Sequence, residues 1–180
     1  MTWETEIIRQ VSAGDIESFR LLVQRYERPV VRMIRNITND GESCEDIAQD
    51  VFFTAYKKLE SFDAGRSSFA TWLFTIARNK SLNVLKRKRA TCLGELPDQT
   101  DPRNPADDLS RREFFDRLDK MLQTLPAKQK TAFVLAEFDE LPYEQIAQIE
   151  RVGIGTIKSR INRAKNKLRA ALRDMETEIL

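Results

Sequence analysis

Apolar residues recur along this chain at spacings of three and four, the rhythm of one helix face, and no convincing alternation of apolar and polar residues marks a strand. Ile7, Ile8 and Val11 lead to a stop at Gly14. Asp15 can then cap a helix carrying Phe19, Leu22, Val23 and Tyr26, and Pro29 opens a further turn with Val30, Val31, Ile34 and Ile37. The punctuation Thr38-Asn39-Asp40-Gly41 resets the pattern. Ser43 to Asp46 has the form of a capping box before Ile47, Val51, Phe52, Ala55, Tyr56 and Leu59, and Ser67 or Ser68 can cap a long helix that begins Phe69, Trp72, Leu73 and Ile76. Further on, Phe114, Leu118, Met121 and Leu122 predict a helix ending before Pro126, and Ala132 to Phe138 predict another. The expected fold is all-α.

The rhythm fails between Thr91 and Leu109. That segment holds Gly94, Pro97, Pro102 and Pro105, five acids (Glu95, Asp98, Asp101, Asp107, Asp108) and few large apolar residues, the composition of an extended, solvated tether. A structureless loop of this length is uncommon inside a compact domain. The reading is therefore two small helical domains, 1–90 and 110–180, joined by a flexible acidic linker over 91–109.

The end of the second half is the most specific stretch. A short apolar helix signal (Pro142, Tyr143, Ile146, Ala147) and a few turn residues precede Gly155-Thr156-Ile157-Lys158-Ser159-Arg160, which opens a longer basic helix. On it Ile154, Ile157, Ile161, Ala164 and Leu168 form one apolar stripe that must face a core. At about 100° per residue, Thr156, Ser159, Asn162, Arg163 and Asn166 fall on the opposite face, flanked by Lys158, Arg160, Lys165 and Lys167. Short hydrogen-bonding groups and an arginine suit base edges, and cations on both flanks suit the phosphates bordering a groove. This is the pattern of a DNA-binding helix-turn-helix.

Charge sharpens that reading. The net charge is only +2, yet residues 1–90 hold fifteen cations and twelve acids, residues 91–109 one cation and five acids, and residues 110–180 fourteen cations and eleven acids. Arg78, Lys80, Lys86, Arg87, Lys88 and Arg89 follow one another with no acid between them, and Arg151 to Arg173 holds eight cations and no acid. Two separate basic stripes imply two nucleic-acid contacts.

Composition also excludes classes. There is no histidine and no phosphate-binding glycine loop, and the two cysteines, Cys44 and Cys92, form no Cys-x-x-Cys pair. An enzyme with histidine-based acid-base or nucleophilic chemistry, a structural zinc site and a cofactor are not expected. Each cysteine reads as a small apolar filler or an incidental thiol. No apolar run approaches a membrane span and the N-terminus lacks the features of a signal peptide, so a cytoplasmic protein without membrane insertion is expected.

Two runs in the first half, Glu45-Asp46-Ile47-Ala48-Gln49-Asp50-Val51-Phe52 and Ser67-Ser68-Phe69-Ala70-Thr71-Trp72-Leu73-Phe74-Thr75-Ile76-Ala77-Arg78-Asn79, resemble region 2 of bacterial extracytoplasmic-function sigma factors. In the second half Leu125-Pro126, Leu141-Pro142-Tyr143-Glu144-Gln145-Ile146-Ala147 and Gly155-Thr156-Ile157-Lys158-Ser159-Arg160 resemble region 4 of the same family. Order, spacing and the linker agree, so the resemblance covers nearly the whole chain. It implies a dissociable subunit of RNA polymerase, monomeric when free, that directs initiation by recognising −10 and −35 promoter elements.

The resemblance implies roles by position. Asp46, Gln49, Asp50 and Phe53 would dock on the clamp helices of the polymerase largest subunit, with the second domain meeting the flap of the second-largest subunit. The loop Phe62 to Ser68 would form a pocket for a flipped base, lined by Asp63, Ala64, Gly65, Arg66 and Ser67. Unstacking that base costs a few kcal/mol, which enclosure and cationic contacts offset. Arg78, Asn79, Asn83, Lys86 and Arg87 would follow the opened strand, while Phe69 and Trp72, at helical spacing with Leu73 and Ile76, read as core residues rather than base-stacking wedges. On the recognition helix Arg160 and Arg163 are candidates for guanine or phosphate contact, Thr156 and Ser159 for short contacts near the helix start, and Lys158, Lys165 and Lys167 for phosphates. The linker acids Asp98, Asp101, Asp107 and Asp108 would suit positively charged polymerase channels, and an anti-sigma factor is an expected partner.

Two positions depart from the family pattern. The turn before the recognition helix reads Glu150-Arg151-Val152-Gly153, with its glycine later than the family's usual turn residue near 151, and Asp50 stands where the family often has glutamate. The rival reading is an autonomous helix-turn-helix regulator that binds an operator without polymerase. It leaves residues 1–90 without a role.

Overall fold

A computed structural model describes residues 2–38, 41, 43–91 and 120–178, the side chains of 88–91 and 174–178 excepted. The chain divides into two compact units, Met1–Pro97 with Gln148–Arg151 and Asp98–Ala147 with Val152–Leu180. Among the described residues there are helices and no strands. The linker acids, Cys92, Phe114, Leu118, Asn39 and Asp40 lie outside the described residues.

The first unit contains α1 (Trp3–Ser12), α2 (Phe19–Thr38), α3 (Cys44–Lys57) and α4 (Phe69–Thr91). Local chemistry places the starts. The Thr2 hydroxyl accepts from the Thr5 amide at 3.3 Å ahead of α1, and Asp15 accepts from the Ser18 amide (3.3 Å) and hydroxyl (2.6 Å), holding a 3₁₀ turn that feeds α2. Before α4 the Ser68 hydroxyl accepts from the Thr71 amide at 3.1 Å. Gly14, at φ +102°, takes the left-handed conformation that stops α1.

Helices α2, α3 and α4 pack on one another and α1 packs on α2. Leu22, Val30, Ile34, Val51, Ala55, Leu73 and Ala77 are wholly removed from solvent. Cys44 is buried at the start of α3. The Tyr26 hydroxyl donates to Glu4 across α1 and α2 at 2.9 Å. Burial first, and then that carboxylate, push the Tyr26 hydroxyl well above its ordinary pKa.

Two local expectations change. Pro29 does not open a separate turn, because α2 runs through it unbroken. The missing N–H leaves the carbonyl of Arg25 without its helical donor. Tyr26 before the proline and Val30, Met33 and Ile34 after it are all buried, so packing holds both halves in one helix. Ser43 stands at the N-cap of α3 with ψ −2° rather than extended, and makes no side-chain capping bond, so the anticipated capping box does not form.

The second unit contains the helical residues 120–123, α5 (Ala127–Glu137), the part of α6 (Tyr143–Glu150) up to Ala147, and α7 (Ile154–Glu178), the end of α6 falling in the first unit. Met121, Leu122, Leu125, Ala164 and Leu168 form a buried cluster, with Phe133 and Ala171 against it. Helices α5 and α7 pack together. The turn into α7 resolves the misplaced glycine. Val152 N–H bonds the Ala147 carbonyl (3.1 Å) and Arg151 N–H the Gln148 carbonyl (3.2 Å), the two bonds of a Schellman motif. The residue in its left-handed position is Arg151, at φ +55°, not Gly153.

A β-branched residue resists that conformation, whereas glycine adopts it freely. Arg151→Val should therefore cost about 1 kcal/mol, and Arg151→Gly should equal or exceed the native chain by about 0.5 kcal/mol. Denaturant midpoints read by circular dichroism give the order Gly ≥ Arg > Val. A valine variant as stable as the native chain would show that the turn is not held left-handed in solution.

Candidate nucleic-acid and polymerase interfaces

Three surfaces carry the candidate residues. The first lies on α3, where Asp46, Gln49, Asp50 and Phe53 are all exposed and recur at the spacing of one helix face. Phe53 is 57% exposed, unusual for a phenylalanine within a folded unit. The Lys57 ammonium sits 4.1 Å from the centre of its ring. Asp50 is paired with Lys80 of α4 at 2.7 Å, so its charge is already engaged within the unit.

Beside this face runs a groove of about 1120 Å³ between α2 and α3. Its walls carry Phe19, Val23, Val31, Phe52, Phe53 and Tyr56, with Arg20, Arg28, Arg32 and Arg35 along the α2 side and Gln49 on the α3 side. The Phe19 and Tyr56 rings meet edge to face at 5.2 Å. An apolar floor with polar edges is the form of a protein-docking groove. The α2 wall was not visible as a site in the sequence, where Phe19 and Val23 serve only the helix rhythm.

The second surface joins the loop after α3 to the outer face of α4. Asp63 organises the loop. Its carboxylate accepts from the Gly65 amide at 2.8 Å and approaches Arg66 Nε at 3.5 Å, while its carbonyl accepts from the Arg66 and Ser67 amides at 3.1 and 3.4 Å. Asp63 and Arg66 are exposed and Ser67 half-buried.

Under the loop lies an aromatic cluster. Phe62, Phe69 and Trp72 have centroids 5.4 to 5.7 Å apart, and Tyr26 lies 5.5 Å from Phe69. Phe69 is a core residue, whereas Trp72 is half-buried, packed on Phe62 and Phe69 with part of its surface open. Along α4, Trp72, Ile76, Asn79, Asn83 and Lys86 follow at intervals of four and three and share one face, with Arg87 exposed at its edge. Arg78 falls about 100° from Asn79 and is not brought onto that face. The side chains of Lys88 and Arg89 lie outside the described residues.

The third surface is the outer face of α7. Ile157, Ile161, Ala164 and Leu168 are buried, as the stripe requires, but Ile154 at its start is exposed. Ile154 sits in the opening turn and is 36% exposed, only partly covered where the later stripe positions are buried. Thr156, Lys158, Ser159, Asn162, Arg163, Asn166 and Lys167 are exposed, whereas Arg160 is half-buried at the edge of the core. Lys165, expected to serve phosphates, bonds Glu137 of α5 at 2.8 Å, and that hydrogen bond raises its pKa above the ordinary 10.5. It ties α7 to α5 instead. Arg169 and Arg173 continue the exposed basic surface beyond the residues singled out from sequence.

Among the described residues no group of three or more cysteine and acidic residues is placed to hold a metal ion, and no helix is long and apolar enough to cross a membrane.

Comparison with known proteins assigns both units. Residues 22–91 match the sigma-70 region 2 family and residues 115–168 match sigma-70 region 4. The chain is 30% identical to the RNA polymerase sigma-H factor of Pseudomonas aeruginosa over 97% of its length and 96% of that protein's. It is also 30% identical to the ECF RNA polymerase sigma factor SigW of Bacillus subtilis, over 93% and 96%. Among solved structures it is similar to the sigma factor RpoE of Bartonella quintana in complex with the anti-sigma factor NepR, with a TM-score of 0.68 and 29% identity over 87% of this chain and 98% of that one. The region 2 match gives the first unit the role that an autonomous operator-binding regulator leaves empty. The chain belongs to the extracytoplasmic-function sigma factors, which direct bacterial RNA polymerase to its promoters.

Proposed function

We propose that the three surfaces divide the work of initiation. The α3 face, with the α2–α3 groove beside it, takes the clamp helices of the polymerase through Asp46, Gln49, Asp50 and Phe53. The Asp63 loop and the Asn79–Asn83–Lys86 face of α4 handle the −10 element, and the outer face of α7 enters the major groove at the −35 element. The second domain meets the polymerase flap. An anti-sigma factor is a further partner, as one is for the Bartonella quintana relative. The protein acts in the cytoplasm and contributes recognition and strand separation without chemistry of its own.

One observation supports this division above the others. The first unit carries on one small helical core both the exposed acidic and aromatic face of α3 and the amide and cation face of α4, where Asn83 and Lys86 are exposed and Asn79 is half-buried. A protein that only bound duplex DNA would need the second and not the first. Asp63 fits the −10 role as an organiser of the loop, holding the amides of Gly65, Arg66 and Ser67 in a fixed turn. A prearranged loop meets an extruded base without a further ordering cost.

The test is transcription in vitro with purified core RNA polymerase and genomic promoter fragments, with and without the protein. Specific start sites are expected only when it is added, and promoter binding only in its complex with core. Operator binding by the free protein, with no transcripts in the presence of core, would overturn the proposal.

A further inference from the structure

We propose that Asn162 reads an adenine in the upstream promoter element, and that the cations of α7 hold the neighbouring phosphates. The inference rests on the placing of α7 in the major groove and adds what it reads there. Four buried residues, Ile157, Ile161, Ala164 and Leu168, and the Lys165–Glu137 bond fix which side of α7 faces outward. Down the centre of that side run Gly155, Ser159, Asn162 and Asn166, all exposed and all uncharged. Among the cations, Lys158 and Arg169 stand along one edge and Lys167 along the other, with Arg163 between Lys167 and the strip. A neutral strip between two charged edges matches a groove floor between two phosphate rows.

Reach then selects among the four. At about 1.5 Å per residue, Gly155 to Asn162 spans roughly 10 Å, within the major groove's width of about 12 Å. Nothing lies within 4 Å of the position a Cβ would occupy on Gly155, so no packing in the free protein calls for glycine there. A bare backbone at that point lets the opening turn of the helix approach the duplex closely. Ser159 is short, and Asn162 is the first side chain of the strip that presents a donor and an acceptor side by side. That pair matches adenine, whose major-groove edge offers the N6 amino donor next to the N7 acceptor. Guanine offers two acceptors and would leave the amide oxygen facing another acceptor.

The experiment uses the holoenzyme and a promoter pool randomised through the upstream element, with transcripts sequenced. The native chain should select adenine at one position more strongly than Asn162→Ala does, by roughly tenfold, with preferences elsewhere retained. Lys167→Ala should lower use of every promoter alike and reduce the salt dependence of binding by about one ion. Circular dichroism of both variants should match the native chain, since both positions are exposed. Unchanged base preference in Asn162→Ala would overturn the proposal, as would an adenine preference lost in Lys167→Ala. A native holoenzyme with no upstream preference at all would overturn the placing of α7 in the groove as well.

Discussion

Truncating Phe53 to alanine should weaken binding to core RNA polymerase by roughly thirty-fold, the equivalent of about 2 kcal/mol. Phe53 is 57% exposed in the free protein and stands where the acidic face of α3 meets the apolar groove. A large aromatic side chain left open beside such a groove gains most of its burial only when a partner covers it. The folded chain loses little by the change. Its contact with the Lys57 ammonium is an exposed cation–π pair, worth about 0.5–1 kcal/mol. The denaturation midpoint should therefore move by only a few degrees while affinity for core, read by competition against a labelled sigma factor, falls steeply. Undiminished affinity would remove α3 from the polymerase interface.

The Asp50–Lys80 pair gives that surface an internal control. Both side chains are substantially exposed, at 54% and 32%, and such pairs contribute less than about 1 kcal/mol to folding. Lys80 was one cation of the basic run in the sequence, with no sign of this partner thirty residues away. Its place in the structure explains why the stripe on α4 is narrower than the run of cations suggested. Arg78 turns to a different side and Lys80 is engaged with α3, so Asn79, Asn83 and Lys86 define the outward face.

What was legible in the sequence and what was not follow from the range of the interactions. The stripe of Ile157, Ile161, Ala164 and Leu168, the Asp15 and Ser68 caps, and the stop at Gly14 depend on residues within a turn or two, and periodicity or cap chemistry reveals them. Pro29 is the opposite case. Local rules start a new turn there, and only the burial of Val30, Met33 and Ile34 against the other helices of the unit keeps α2 whole. Ser43 has the right residue type for a cap but a helical backbone, at φ −84° and ψ −2°.

The candidate surfaces divide in the same way. A solvated face of α7 can be drawn from a helical wheel, because one buried stripe determines the rest. The diversion of Lys165 to Glu137 cannot, because it needs the position of α5. Nor can the α2–α3 groove, whose arginines and aromatics come from segments about thirty residues apart. Arg151 lies between these cases. The displaced glycine marked the turn as unusual, but the hydrogen bonds of the Schellman motif were needed to show that the arginine takes the left-handed position.

Replacing Ile157 by alanine should destabilise the second unit by about 2–5 kcal/mol, the cost of deleting three buried carbon atoms from a site that cannot fully collapse. Ile157 is wholly buried in the first turns of α7. The melting temperature of that unit should fall by roughly 10 °C or more. Two tryptophans, Trp3 and Trp72, are the only ones in the chain, and both lie in the first unit. Tryptophan fluorescence thus follows the first unit, while circular dichroism at 222 nm follows every helix. In Ile157→Ala part of the dichroism signal should be lost at lower temperature while the fluorescence transition stays in place. At temperatures between the two transitions the variant should still bind core polymerase through α3, because that surface is built from the first unit only, but should lose upstream promoter selection. Fluorescence and dichroism moving together would mean that the two units unfold as one cooperative body, and the upstream and downstream promoter contacts would then fail together rather than in turn.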